Sequence, residues 1–430
     1  MQRLLAIILL FIAPTICLAE IVRYDGHKVI RVQASDQEQL KWLGILHDST
    51  LLDFWTYPSL VRPTDIRVGP EEFEQLADDL VAHGFNYTIV QEDVQKLIES
   101  MGQHPHSPDK RQVNIIRENV LGGFPTYSAI YNWAQEKRSQ NEDIMSLHTL
   151  GKTYQGQDQY LVKLGVKKNT AKPVVWLDSG IHAREWLSVS TTINIINKML
   201  TQYKAKDSTV MDLLSTFDFY FIPVANPDGY VYSHTSGGRL WRKTRTRHVS
   251  GSIGVDPNRN WGYHWCVSGS SRSASSDSYC GPYAWSENCV YNMKQTLQNL
   301  GSRLKVFMTL HSYGQMWFVP YAWSRSAYPT DYNELVSLSI SATSAMRKST
   351  GASYRVGRVP DLLYEASGSS MDWVKGTLKT KYAFAMELRP SENVANGFIA
   401  PVSDIAPTAE EVWEGFKVVV EKAKGNLLAG

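Results

Sequence analysis

The chain of 430 residues carries little surplus charge of either sign: 44 Lys and Arg offset 42 Asp and Glu, leaving a formal +2. Such a balance gives no electrostatic case for a nucleic-acid or polyanion partner. Long apolar runs are also missing. Beyond the first dozen residues no segment approaches the roughly 20 apolar residues that a membrane-spanning helix needs. Cysteine is scarce, at four residues in the whole chain, so cross-linking can do little of the stabilising. What is present is the composition of a folded protein: 43% hydrophobic, 11% aromatic and only 20% charged residues argue against disorder. The length suffices for two globular domains.

At the N-terminus Arg3 precedes an apolar stretch from Leu4 to Ile12, and Cys17-Leu18-Ala19 supplies a small-residue exit. This is the pattern of a secretory signal peptide, expected over 1–19 with removal after Ala19. Pro14 interrupts the run, which speaks against an anchor. The mature protein is therefore expected outside the cell. Cys17 leaves with the signal, and Cys266, Cys280 and Cys289 remain. In an oxidising compartment these favour one structural disulfide over a metal site, with one thiol left over. The sequence leaves the pairing open. A Cys266–Cys280 bridge would staple a Ser/Gly-rich loop, contributing about 3 kcal/mol on the chain-entropy model.

Residues 20–100 repeat one small plan. His27 to Val32 alternates like a strand. Asp36 opens a helix with Gln39 in capping-box position and Leu40, Leu43 and Leu46 along one stripe. Strand-like runs follow at Leu52 to Tyr57 and Asp65 to Val68. A second helix is expected from Pro70, carrying Phe73, Leu76 and Leu80 and stopped by Gly84, with a last strand from Phe85 to Val90. The order βαββαβ is the split, ferredoxin-like unit. Nothing in it resembles a catalytic cluster. Residues 101–117 change texture: two prolines, His104, His106 and the basic pair Lys110-Arg111 describe an exposed linker open to proteolysis.

The remainder, 118–430, reads as α/β, one mixed and mainly parallel sheet with helices on both faces. Val174 to Leu177, Phe219 to Val224, Leu304 to Met308 and Tyr382 to Met386 are dense apolar runs, as strands covered on both faces should be. Three of these strands lead into ionisable residues: His182 and Glu185, then His311, then Glu387. Ligands in open α/β sheets bind at the carboxyl ends of strands, so the three ends can share one crevice. His182 and Glu185, three apart, can aim an imidazole and a carboxylate at one metal, and His311 can complete the set. Two histidines and a glutamate with a position left for water is the pattern of catalytic zinc. Zinc brings the pKa of bound water down to about 7 and polarises a carbonyl. Glu387, free of the metal, is available as the base.

The segments His182-Ala183-Arg184-Glu185-Trp186, His311-Ser312-Tyr313 and Glu387-Leu388-Arg389 resemble the metallocarboxypeptidases of the pancreatic carboxypeptidase A/B family. Further motifs that carry the resemblance are Asn226-Pro227-Asp228-Gly229-Tyr230, Arg239 to Arg245, Asp256 to Trp261 and Tyr364 to Gly368. It extends over nearly the whole chain, prodomain included. It implies one zinc ion per chain held by His182, Glu185 and His311, with Glu387 as general base and Arg242 stabilising the oxyanion. Asn258, Arg259 and Tyr364 would grip the terminal carboxylate of a peptide substrate, for which the planar fork of Arg is suited. Arg184, Tyr313 and Phe398 would contact residues upstream of the cut, and Asp256 would orient His182.

By the same resemblance Met371 forms the base of the side-chain pocket, with Phe318, Val359 and Ala366 around it, and Ser369 stands where Gly is common. An apolar base leaves a buried Lys or Arg without a counter-charge, so apolar or aromatic C-termini are expected. The N-terminal unit would cap the cleft until a trypsin-like protease cuts near Lys110-Arg111 or at Arg117. Asn86-Tyr87-Thr88 is a glycosylation sequon. The cysteines do not stand where the pancreatic enzymes carry theirs, so that disulfide is not transferred. Three rival readings are a secreted binding protein that kept the fold without activity, a carboxypeptidase for basic residues, and an intracellular tail-trimming relative. The intact ligand and base set, Met371 and the signal peptide speak against them in turn. There is no signal for oligomerisation, and a monomer is expected.

Overall fold

The structure, a computed structural model, describes residues 23–49, 52–100, 119–249 and 251–429. The expected signal peptide, the linker with Lys110-Arg111, and Arg117 lie outside the described residues. The first unit has strands β1 (Lys28–Val32), β2 (Asp53–Phe54), β3 (Thr64–Val68) and β4 (Tyr87–Gln91), in the order β2-β3-β1-β4 with antiparallel neighbours. Helices Gln37–Ser49 and Phe73–Ala82 complete the βαββαβ order. Asp36 accepts the Gln39 N–H at 2.8 Å, while the Gln39 side chain reaches back one residue further than a capping box, to the Ser35 N–H at 2.8 Å.

Both faces of this small sheet are covered. Ile30, Val32, Ile66 and Val68 pack under Leu43, Leu76 and Leu80 of the two helices. Val29 belongs to a different cluster, with Tyr24 and Trp55 from the same unit and Leu240, Tyr313, Phe398 and Ile399 from the large one. Three points differ from expectation. The run Leu52 to Tyr57 pairs only over Asp53–Phe54, because Trp55 onward leaves the sheet to lie against the large unit. A further helix, Val94–Ser100, follows β4; Val94, Leu97 and Ile98 make a one-sided apolar stripe that joins the same cluster. The second helix begins at Phe73 rather than at Pro70.

The large unit holds an eight-stranded sheet built from β5 (Met145–Lys152), β6 (Asp158–Leu164), β7 (Val174–Ser179), β8 (Asp218–Ile222), β9 (Leu304–Gly314), β10 (Met316–Val319), β11 (Arg355–Arg358) and β12 (Tyr382–Ser391). The order is β11-β10-β12-β9-β7-β8-β6-β5, and the central strands β12, β9, β7 and β8 run parallel. Alternation along the buried strands splits the core in two. Val175, Leu177, Val306 and Met308 face one layer, with helices Trp186–Lys204 and Ile405–Leu428; Val174, Trp176 and Phe307 face the other, with helix Asn288–Leu300. Cys266 and Cys280 are bridged, with Cα atoms 5.7 Å apart, and Cys289 is a buried free thiol on that last helix.

Candidate active site

Parallel pairing fixes the site. β9 and β12 are neighbours in a register that sets Glu387 opposite His311, and β7 lies on the other side of β9. After β7 the chain must turn sharply into helix Trp186–Lys204. Gly180 makes the turn at φ +63°, where a Cβ would stand 2.7 Å from a Val189 methyl carbon. His182 and Glu185 sit in the few residues between that turn and the helix.

Three ligand atoms converge. Nδ1 of His182 lies 2.7 Å from Glu185 Oε1, and Nδ1 of His311 lies 3.1 Å from His182 Nδ1 and 3.2 Å from Glu185 Oε2. All three residues are buried, and the set lies within 4.8 Å. Burial pushes the Glu185 carboxyl up, but His182 and His311 outweigh it and hold the group well below the usual carboxylate range. Two nitrogens and a carboxylate drawn this close in a buried place fit a zinc ion bound from one side. The far nitrogen of His182, Nε2, lies 3.1 Å from Asp256 Oδ1.

Asp256 ties this group to the next. Its other oxygen accepts Arg242 Nη2 at 2.8 Å, and Oδ1 also accepts the Asn258 N–H at 2.8 Å. Although wholly buried, it is held well below the ordinary range by Arg242, His182 and Arg259. Arg259 donates to Gly269 O at 2.9 Å and to the Tyr364 hydroxyl at 3.1 Å. Asn258 Oδ1 accepts the Ser370 N–H, and its Nδ2 lies 3.4 Å from His311 Nε2.

Glu387 is the exception in this network. Its Oε2 is buried without a hydrogen-bond partner among the described residues. Burial, joined by the charge of Glu185, pushes its carboxyl up to about 8. Glu387 forms no ion pair with its near neighbour Arg389 among the described residues. Arg389 bonds instead to the buried Glu411 on helix Ile405–Leu428.

One cavity of about 110 Å³ is lined by His182, Glu185, Arg242, Asn258, Arg259, His311, Tyr313, Tyr364, Met371, Glu387 and Phe398 together. Phe318, Val359, Ala366 and Ser369 line it too. Ser369 also caps helix Ser370–Gly376, accepting the Asp372 N–H. Arg184 stands apart from the lining, its Nη1 paired with Asp53 of the small unit at 2.7 Å and its guanidinium 4.1 Å from the Phe398 ring centre.

Sequence reasoning did not anticipate that Trp55, Thr56, Tyr57 and Arg62 of the small unit line the same cavity. Tyr57 stacks on Tyr364 with ring centres 4.1 Å apart, and Trp55 meets Phe398 edge-on at 5.8 Å. No local pattern marks these residues. In the sequence Leu52 to Tyr57 reads only as a strand.

Comparison with known proteins agrees with this geometry. Residues 130–415 match the zinc carboxypeptidase family model, and residues 30–100 match the carboxypeptidase activation peptide. Carboxypeptidase A2 of Mus musculus is 36% identical over 408 residues, covering 94% of this chain and 95% of its own. Carboxypeptidase B of Astacus astacus is 39% identical over 303 residues, 70% of this chain and 97% of its own. Among solved structures, carboxypeptidase A from Helicoverpa armigera superimposes with a TM-score of 0.82 at 26% identity, covering 94% of this chain and 98% of that one. The chain belongs to the zinc carboxypeptidases of the pancreatic type, and carries the activation peptide of a procarboxypeptidase ahead of its peptidase domain.

Proposed function

We propose that the protein is a secreted carboxypeptidase precursor that, once cut, removes apolar or aromatic residues singly from peptide C-termini. The domain limits that go with this reading are a signal peptide at 1–19, a prodomain at 20–100, a linker at 101–117 and the catalytic domain at 118–430. The observation that carries the specificity is the apolar floor of the cavity, where Met371 meets Phe318, Val359 and Ala366. The adjacent acid does not reach it: Asp372 is wholly buried, and its oxygens accept the N–H groups of Ala322 and Trp323 at 2.8–3.0 Å. A basic side chain entering this pocket finds no counter-charge.

In this reading His182, Glu185 and His311 hold the zinc, which when bound acidifies water and polarises the scissile carbonyl. Arg259 and Asn258, with Tyr364, hold the substrate's terminal carboxylate, so only a chain end satisfies the cationic grip. Arg242, kept in place by Asp256, donates to the carbonyl oxygen as negative charge develops on it. Glu387 accepts a proton at its unpartnered Oε2 and returns it to the leaving amine. Arg184, Tyr313 and Phe398 contact the residues upstream. A trypsin-like protease releases the prodomain at Lys110-Arg111 or Arg117, and the active form is a monomer.

The test is hydrolysis of two blocked dipeptides, one ending in Phe and one in Arg, before and after trypsin, with and without a chelator. Chelator-sensitive release of Phe only after trypsin is expected. Release of Arg in preference to Phe overturns the pocket argument and leaves the mechanism standing.

A further inference from the structure

A buried carboxylate has to be matched by donors, because it gives up the water that hydrates it outside. Glu287 is matched by hydroxyls and not by a cation. It is 1% exposed and stands at the N-terminus of helix Asn288–Leu300, an end whose dipole favours a negative group. Its Oε2 accepts the hydroxyls of Thr244 and Thr246 at 2.5 and 2.6 Å, and its Oε1 accepts that of Ser286 at 2.9 Å. Lys243 feels its charge but spends its Nζ on Ala274 O and Ser276 O, and Glu287 forms no ion pair among the described residues.

None of the chemistry derived so far uses this group. What it touches is the segment that carries Arg242. Thr244 stands two residues after Arg242. By giving its proton to Glu287 it turns a lone pair toward Val255, whose N–H it accepts at 2.9 Å. The Thr244 N–H donates to Val255 O at 2.9 Å as well. This reciprocal pair clamps the Arg242 segment to the one that carries Asp256, the residue after Val255. Across the clamp Arg242 Nη2 donates to Asp256 at 2.8 Å. On the other side the Arg242 carbonyl accepts the N–H of Ala183, next to His182, at 3.0 Å. The backbone of Glu287 reaches a third segment of the site: its N–H donates to Asn260 Oδ1 at 3.1 Å, beside Arg259.

We propose that Glu287 is a positioning residue for the peptidase reaction: through Thr244 and Val255 it sets the guanidinium of Arg242 where the oxyanion develops. It touches neither the metal ligands nor the cavity. The inference rests on the reading of Arg242 as the oxyanion donor. A Thr244 hydroxyl freed from Glu287 rotates and gives up the Val255 N–H, and the clamp between the two segments loses one of its two bonds. An oxyanion donor acts only at the place where the charge forms, so a small displacement costs kcat and leaves binding of the ground state alone. The carboxylate grip hangs on Asn260 through the backbone N–H of residue 287, which a side-chain replacement does not remove.

Steady-state kinetics of the trypsin-cut, zinc-loaded enzyme on the blocked dipeptide ending in Phe tests the proposal. Removing an oxyanion donor outright costs about 10²- to 10³-fold in kcat, the loss expected of Arg242→Ala. Glu287→Ala displaces the donor without removing it, and is expected to lower kcat about tenfold with KM within about twofold of the parent. Glu287→Gln, which keeps an oxygen for the two threonines, is expected to recover most of that loss. The double variant separates positioning from a general loss of structure. On the Arg242→Ala background Glu287→Ala should change kcat by less than about twofold, because the group it places is gone. Should Glu287→Ala fail to fold, Thr244→Val, of the same shape without the hydroxyl, takes its place with the same expectations. An equal loss of kcat on both backgrounds, a rise in KM in place of the fall in kcat, or an unchanged kcat for the single variant overturns the proposal. Arg242→Ala with the kcat of the parent overturns the reading of Arg242 beneath it as well.

Discussion

At the scale of single residues the site is a set of carboxyls whose surroundings push them apart. Glu185 and Asp256 are held ionised by the cations around them, whereas Glu387, with no partner at Oε2, is pushed up by burial. Glu387→Gln keeps the shape and removes the proton acceptor. It should lower kcat by roughly 10²- to 10⁴-fold, the range for a general base, while zinc content measured by metal analysis stays at one per chain. A glutamine variant with near-normal kcat would move the base elsewhere. Asp372 gives a second test. Burial overrides the backbone N–H groups that favour its ionised form and pushes it up to about 7. The folded state therefore holds a proton that the unfolded chain has already lost, so this group's contribution to stability falls as pH rises from about 4 to about 7. Asp372→Asn should flatten the pH dependence of urea unfolding across that interval. An unchanged slope would show that Asp372 is ionised in the fold.

Elements carry the next level. The cluster of His182, Glu185 and His311 and the nearness of Glu387 to it were legible because buried parallel strands leave a plain signal, dense apolar runs ending in polar residues; the order of those strands in the sheet was not. The loop 265–280 was legible only as polar and cysteine-bearing, yet it positions Arg259, whose Nε donates to Gly269 O. Gly269 has φ +57°, and a Cβ there would collide with Glu365 O. Gly269→Ala should therefore shift the loop and raise KM for a C-terminal substrate several-fold, with zinc content unchanged; an unaltered KM would detach the loop from the carboxylate grip. The Cys266–Cys280 bridge holds the same loop across a separation of 14 residues. Cys266→Ser with Cys280→Ser should cost about 3 kcal/mol of stability by the loop-entropy relation. What the sequence could not show was helix Val94–Ser100 and the shortness of β2. Both are set by apolar contacts with the other unit rather than by local periodicity.

For the whole molecule, a cap over the cleft was expected, but the residues that make the contact between activation peptide and catalytic domain were not legible in the sequence, because polar and apolar contributors alike are scattered and far apart along the chain. Asp53 is the clearest case. It is buried and accepts Arg184 Nη1 at 2.7 Å and Arg67 Nε at 2.9 Å, one cation from each unit. Burial works to raise its pKa, and the two arginines outweigh it and hold it below the usual value. A carboxyl lowered in this way contributes stability that is complete above the unfolded pKa of about 3.9 and is lost only as pH falls through the lower folded value. The latch should therefore hold throughout neutral and mildly acidic conditions, and acid should loosen it only below about pH 4. Asp53→Asn tests this without changing pH. It leaves the buried Arg184 short of its charged partner, and breaking such a pair costs roughly 3–5 kcal/mol. The expected result is a proenzyme that hydrolyses the Phe substrate measurably before trypsin treatment and sheds the cut activation peptide faster after it. Size-exclusion chromatography of the trypsin-cut mixture reads the second effect directly. A variant as latent as the parent, with the cut peptide still bound, would place the hold between the units on the aromatic contacts of Trp55 and Tyr57 instead.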